Sequence, residues 1–193
     1  TGTIIKKKDI LRVLKLAKKI KSKVLIDEAY FPYYKFSYLR HLSTFDNLIV
    51  VRSAKCYGMS GLRVGYLISS EEIVSKINEK RPLYEINNIA AKLFYNSLKN
   101  QGEMYKSVKR LQEGKKFFLK HIKRSGFKTL TGFANFIHVD FGENRKRILR
   151  GLQNILYCRE YESHKSMKNF SRITLTTKKN FKLILSNINR NNK

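Results

Sequence analysis

Apolar residues recur along this chain in two rhythms. Between Asp9 and Lys21, Ile10, Leu11, Val13, Leu14, Ala17 and Ile20 come three or four residues apart with lysines between them. That spacing predicts a helix with one buried face, and Asp9 is placed to cap its start. Val24–Tyr30 (VLIDEAY), which opens on three apolar residues, and Leu48–Val51 are short apolar runs, which suit strands inside a parallel sheet. Val64–Ile68 is a third such run. Ser69–Lys80 predicts a helix with an acidic first turn, favourable to the helix dipole. Arg81-Pro82 breaks it, because proline cannot continue the hydrogen-bond ladder. Leu83–Asn100 predicts a helix with Ile86, Ala90 and Phe94 among its inward residues, and Gln101–Ser125 a long basic helix closed by Gly126. Phe133–Phe141 alternates as a strand, Asn144–Asn154 as a helix, Leu156–Arg159 as a short strand and Phe170–Leu175 as the last strand, with a final helix from Thr177. The order predicts an α/β chain with a junction between a larger and a smaller domain at Arg81-Pro82.

Two strand ends carry the candidate chemistry. The first run ends in Asp27 and Tyr30; the second leads into Lys55, then Gly58, Gly61 and Arg63. In parallel sheets ligands gather outside the carboxyl ends of strands, and closely spaced glycines let backbone approach a ligand. A carboxylate, a phenol, an amine and a guanidinium converging there make the set that pyridoxal phosphate requires. The carboxylate keeps the pyridine nitrogen protonated, the phenol bonds the ring hydroxyl, the lysine forms the Schiff base and the arginine pairs with phosphate. From the lysine loop alone, a strand edge with two solvated cations is the plainer reading.

Taken together, DEAY, a strand and K-x-x-G-x-x-G-L-R-V-G-Y resemble the class I/II pyridoxal-phosphate aminotransferases of fold type I, most closely the histidinol-phosphate aminotransferase group. The resemblance implies Lys55 as the Schiff-base lysine, Asp27 as the pyridinium partner, Tyr30 as the ring-hydroxyl partner, and Arg63 with Ser53 as phosphate ligands. It also implies that Arg172, in FSRITL, clamps the substrate carboxylate. The family pattern R-[ST]-x-S-K is one residue shorter here, Arg52-Ser53-Ala54-Lys55, and a one-residue shift in a strand turns side chains to the other face. Residues 1–81 are expected to be part of the cofactor-binding large domain and 82–193 the small domain. Thr1-Gly2-Thr3 resembles the segment at and just after the family's N-P-x-N-P motif, so the chain is expected to cover the C-terminal half of the pattern. Tyr84 and Asn87 fall in a P-x-x-x-N segment that the family places near its active site, but both read as packing or capping residues. His138 and Asp140, two apart on one strand, read as a polar face, and His41 as structural.

Composition adds boundaries. The chain has 41 Lys+Arg against 14 Asp+Glu, a formal net charge of +27. The cations are spread along the sequence without a nucleic-acid motif, so no specific nucleic-acid partner is expected. No apolar run reaches the ~18–20 residues of a membrane span. Cys56 and Cys158 lack the spacing of a disulfide framework or metal site, which suggests the reducing cytoplasm. The expected substrates, from the resemblance, are an amino donor and a 2-oxo acid acceptor, handled by a homodimer. The alternatives are a decarboxylase acting on a phosphorylated amino acid, an inactive module that binds a partner, and a basic nucleic-acid binder.

Overall fold

The computed structural model describes residues 2–161 and 163–192. It is mixed α/β with two sheets. The chain forms two compact units, Ile5–Tyr105 and Thr1–Ile4 with Lys106–Lys193.

In Ile5–Tyr105, helix α1 (Lys7–Lys19) buries Leu14 and Ala17. Its N-cap is Lys6, without a side-chain bond, and Asp9 lies in the first turn, so the expected Asp9 cap is corrected to a dipole contribution. Strand β1 (Val24–Asp27) runs parallel to β2 (Leu48–Ser53), in register from Val24↔Leu48 to Asp27↔Val51. Strand β3 (Gly65–Ile68) returns antiparallel along the other edge of β2. Leu14, Tyr38, Phe45, Leu48 and Val50 form one core, with Val24 and Ile26 packed against it. Buried Asn47 ties α1 to the start of β2, donating to the Leu14 and Ser22 carbonyls at 3.2 and 3.1 Å. The aromatic segment before β2 packs ring on ring, with Phe36 and Tyr38 edge to face at 5.0 Å and His41 beside both. Gly65 is where β3 meets β2, and a Cβ there would lie 2.7 Å from the Arg52 carbonyl oxygen.

Helix α2 (Glu71–Asn78) is followed by the Arg81-Pro82 break. The next helix, α3 (Asn88–Lys99), starts later than the expected Leu83. Asn87 caps it, accepting from the Ala90 N–H at 2.9 Å, and such a side-chain bond favours a helix start over a helix interior. Leu83 and Tyr84 are exposed outside the helix, Tyr84 with a left-handed backbone. Ala90 and Phe94 of α3 pack on Ala54, Val64, Tyr57 and Tyr66, so α3 backs the loop that carries Lys55.

Helix α4 (Gln101–Arg124) begins in the first unit and continues in the second. There, β4 (Lys128–Thr131), β5 (Phe136–Asp140), β6 (Arg159–Glu160) and β7 (Phe170–Thr174) form an antiparallel sheet in the order β4-β5-β7-β6. Strand β4 has no apolar run to announce it and Leu130 stays exposed. The expected strand at Leu156–Arg159 is corrected to the pair Arg159–Glu160, held by pairing with β7. Helices α5 (Arg145–Leu152) and α6 (Lys178–Arg190) complete the unit. Phe118, Ile122, Ile137, Ile148, Ile173 and Phe181 are fully buried in it. Gly114 lets α4 approach the turn before α6, since a Cβ would sit 2.1 Å from the Thr176 carbonyl oxygen.

Candidate functional site

Because β1 and β2 are parallel, their carboxyl ends lie side by side. At the end of β1, Asp27 is exposed, and its Oδ1 accepts from the Ala29 N–H at 2.8 Å, turning the chain out of the strand. At the end of β2, the Ser53 hydroxyl donates to the Ala29 carbonyl at 3.0 Å and accepts from the Lys55 N–H at 3.4 Å. Ser53 is thus both the last strand residue and the cap of a 3₁₀ turn, Ala54–Tyr57. Ala54 and Cys56 are buried, and Lys55 between them is half-buried. The Lys55 Nζ lies 4.9 Å from the centre of the Tyr30 ring.

Arg63 belongs to the same construction. The Ala54 N–H donates to the Val64 carbonyl at 3.0 Å and closes the loop between them. Lys55 and Arg63 are the first residues inside that bond, one on each arm. Gly58 turns the loop with φ +74°, and Arg63, exposed, leaves it with φ +56°. The structure therefore brings Asp27, Tyr30, Ser53, Lys55 and Arg63 to one end of one sheet.

Burial sets the chemistry of the neighbours. It pushes the Cys56 thiol up to about 12, against a smaller opposing effect of the Lys55 charge, so Cys56 stays protonated at neutral pH. It also raises the Tyr57 hydroxyl to about 12, with Tyr66 and Tyr105 adding to the shift. Lys55 is the amine this turn presents.

Two residues at this end were missed by sequence reasoning. Glu28 and Arg52 are the next pair beyond Asp27↔Val51 in the register. The Glu28 carboxylate accepts from Arg52 Nε and Nη2 at 3.1 and 3.0 Å, from the Ser37 hydroxyl at 2.7 Å and from the Tyr38 N–H at 2.6 Å. The side chains are 8% and 14% exposed, and the guanidinium lies 3.7 Å from the centre of the Phe31 ring. The signal was legible: each residue stands four places after the start of its strand, and parallel pairing puts equal offsets opposite.

In Lys106–Lys193, β7 buries Ser171 and Ile173 and turns Arg172 and Thr174 to the other face. Arg172 pairs in register with His138 of β5 and Arg159 of β6. Its guanidinium lies 4.9 Å from the centre of the Phe136 ring. Arg172, Arg159, Tyr157 and Thr174 line an open cleft of about 330 Å³. Like charges directly opposite across strands repel, so this cleft is electrostatically prepared for an anion. Arg159 is a further residue that sequence reasoning missed. His138 is buried, its Nε2 3.2 Å from the Tyr161 hydroxyl. Burial and nearby positive charge, Arg172 included, lower its pKa to about 4. Asp140 instead accepts from the Gly142 N–H at 2.9 Å.

Comparison with known proteins is consistent across sequence and structure. The family described as aminotransferase class I and II matches residues 1–188. The histidinol-phosphate aminotransferase of Caldanaerobacter subterraneus subsp. tengcongensis is 30% identical over 179 residues, 92% of this chain and 50% of that protein. The crystal structure of the histidinol-phosphate aminotransferase from Clostridium acetobutylicum superposes with a TM-score of 0.85 at 25% identity, covering 100% of this chain and 61% of that one. The Sinorhizobium meliloti histidinol-phosphate aminotransferase, solved in complex with pyridoxal-5'-phosphate, gives a TM-score of 0.77 at 19% identity, covering 94% and 52%. The chain spans about half the length of the curated relatives it matches.

Proposed function

This chain belongs to the class I and II aminotransferase family, and from that premise we propose that it supplies the lysine-bearing part of a pyridoxal-phosphate site. The reaction is transfer of an amino group between a donor of the histidinol-phosphate type and a 2-oxo acid. The observation that carries this reading is the Lys55 amine over the Tyr30 ring at 4.9 Å, at the strand ends where Asp27 faces outward.

The donor types match the cofactor's groups. Asp27 would hold the proton on the ring nitrogen, Tyr30 would bond the ring hydroxyl, and Arg63 would bind the phosphate, with Ser53 joining it once its hydroxyl turns from the Ala29 carbonyl. When bound, pyridoxal phosphate supplies an electron sink for the reacting carbon. Lys55 would be the residue that holds the cofactor covalently and the base that moves the proton at the substrate Cα. Arg172, with Arg159 opposite, binds an anionic group of the donor, a task that suits the forked geometry of guanidinium. By the family's division residues 1–81 are assigned to the cofactor-binding domain and 82–193 to the small domain, although residues 82–105 fold within the compact unit Ile5–Tyr105. The working unit is a homodimer in the cytoplasm, a setting in keeping with the unpaired thiols of Cys56 and Cys158.

The test is to add pyridoxal phosphate to the purified chain, reduce with borohydride and map the modified lysine by mass spectrometry. Label confined to Lys55 supports the assignment. Label scattered over many lysines, or none, overturns it for this chain.

A further inference from the structure

Every residue with a role at the ends of β1 and β2 sits at or beyond the last ladder bond of its strand, where the backbone alone holds it loosely. Parallel pairing stops at Asp27↔Val51, followed by a single main-chain bond from the Glu28 N–H to the Val51 carbonyl at 2.8 Å. Tyr30 and Lys55 lie three and four residues past that register pair, on separate chain segments. The Ser53 hydroxyl joins the two exits once, through the Ala29 carbonyl, and the side chains at the next register step join them again by a charged pair.

Glu28 and Arg52 join the exits through two N–H···O bonds from one guanidinium to one carboxylate oxygen. The same guanidinium donates to the Ser37 hydroxyl at 2.8 Å, and the carboxylate takes the Ser37 hydroxyl and the Tyr38 N–H. The pair is therefore bound to a third segment as well. Phe31, next to Tyr30 in the chain, stacks on the guanidinium. An ion pair this buried gives little net stability, because desolvation of both charges offsets their attraction. Its geometric consequence is larger, since one rigid fork and one flat contact leave few ways to arrange the segments it joins.

We propose that Glu28 and Arg52 are positioning residues that set the Lys55 amine against the Tyr30 ring. Arg52 is three residues before Lys55, and Glu28 two before Tyr30, so the pair ties the arms of the site from behind. The consequence for catalysis rests on the functional reading above, whereas the positional effect is measurable without any cofactor.

The experiment uses the chain with its lysines reductively ¹³C-methylated, Lys55 being assigned by comparison with a Lys55→Arg sample. Nuclear Overhauser contacts between the Lys55 methyls and the Tyr30 ring are recorded in the wild type, Arg52→Lys and Glu28→Gln. Arg52→Lys keeps a charge beside Glu28 but loses the fork and the stack. Ile73→Ala, at a buried position of α2, is the control for general loss of stability. The expected result is a contact present in the wild type and in Ile73→Ala, and lost in Arg52→Lys and Glu28→Gln, with cooperative thermal unfolding throughout. A contact that persists in a folded Arg52→Lys, or that is absent in the wild type, overturns the proposal. In parallel, reduction with pyridoxal phosphate should label Lys55 roughly tenfold less in Arg52→Lys, as small misplacements of a reacting group do. A wild type that shows the contact but no label overturns the cofactor reading and leaves the positioning role supported.

Discussion

In the three-stranded sheet the candidate residues sit where strands end, whereas in the four-stranded sheet Arg172 and Arg159 sit opposite each other on one strand face. Asp27, Tyr30, Ser53 and Lys55 are held by turns, caps and an ion pair, each a local device with its own bonds. Arg159 and Arg172 are held by register: fixing the β6–β7 pairing fixes both at once. The comparison teaches that a strand-end site is adjustable one residue at a time. A strand-face site moves only if the sheet moves, because its positions follow from ladder bonds shared along the whole strand.

The largest change that breaks the comparison is Lys55→Ala. It should abolish specific cofactor labelling and, in an assay of amino-group transfer, reduce turnover by at least about 10³-fold, the scale of losing a nucleophile that also acts as base. Its fold should be unchanged by circular dichroism, since the side chain is only half-buried and the turn is held by the backbone and by Ser53. The face-type site responds to its core instead. Ile173→Ala, under the β7 strand that bears Arg172, should cost about 2–5 kcal/mol in denaturant unfolding. It should also weaken anion binding in the cleft without contacting it.

His138 sharpens the contrast through pH. The unfolded chain takes up its proton near 6.5, while the folded chain resists until about 4. The unfolded state therefore binds more protons in that window, and stability falls as pH drops through it, by about 3 kcal/mol at most. Above pH 6.5 the group contributes no slope. Urea unfolding of His138→Phe against the wild type from pH 7 to 4 checks this: the variant should lose the His138 share of the slope. Arg172→Lys should weaken the binding of inorganic phosphate roughly tenfold, read from amide shifts at Thr174, because an ammonium lacks the forked donor pair. The smallest effect belongs to Asn87→Ala, which removes the cap of α3 and should cost about 1 kcal/mol.

Much of this molecule was legible in advance, for reasons that differ by element. Helix α1 and strand β7 announce themselves because burial on a fixed period demands apolar residues at that period, and β2 by a continuous apolar run whose residues Leu48, Ile49 and Val50 are all buried; β1 carries a similar run, with Leu25 exposed. Strand β4 did not, since Lys128–Thr131 pairs along one edge with little buried surface. The start of α3 was misplaced because Ile86 continues the helical spacing, whereas the Asn87 side chain takes the capping bond.

The sequence by itself determined which groups are available: an amine, a carboxylate, a phenol and a guanidinium, each placed after an apolar run that must be buried. It also determined that Lys55 and Arg63 share one loop, because the seven residues between them include two glycines and no long apolar run. Only the tertiary structure decided that the Lys55 amine lies over Tyr30, because that depends on Ala54 and Cys56 finding room inside. The burial of Glu28 with Arg52, while Asp27 next door faces solvent, was likewise a tertiary outcome. The alternation is local and readable, but which face is covered depends on segments far away in the chain. The opposition of Arg159 and Arg172 has the same origin, since a two-residue strand has no pattern of its own and takes its register from the strand it joins.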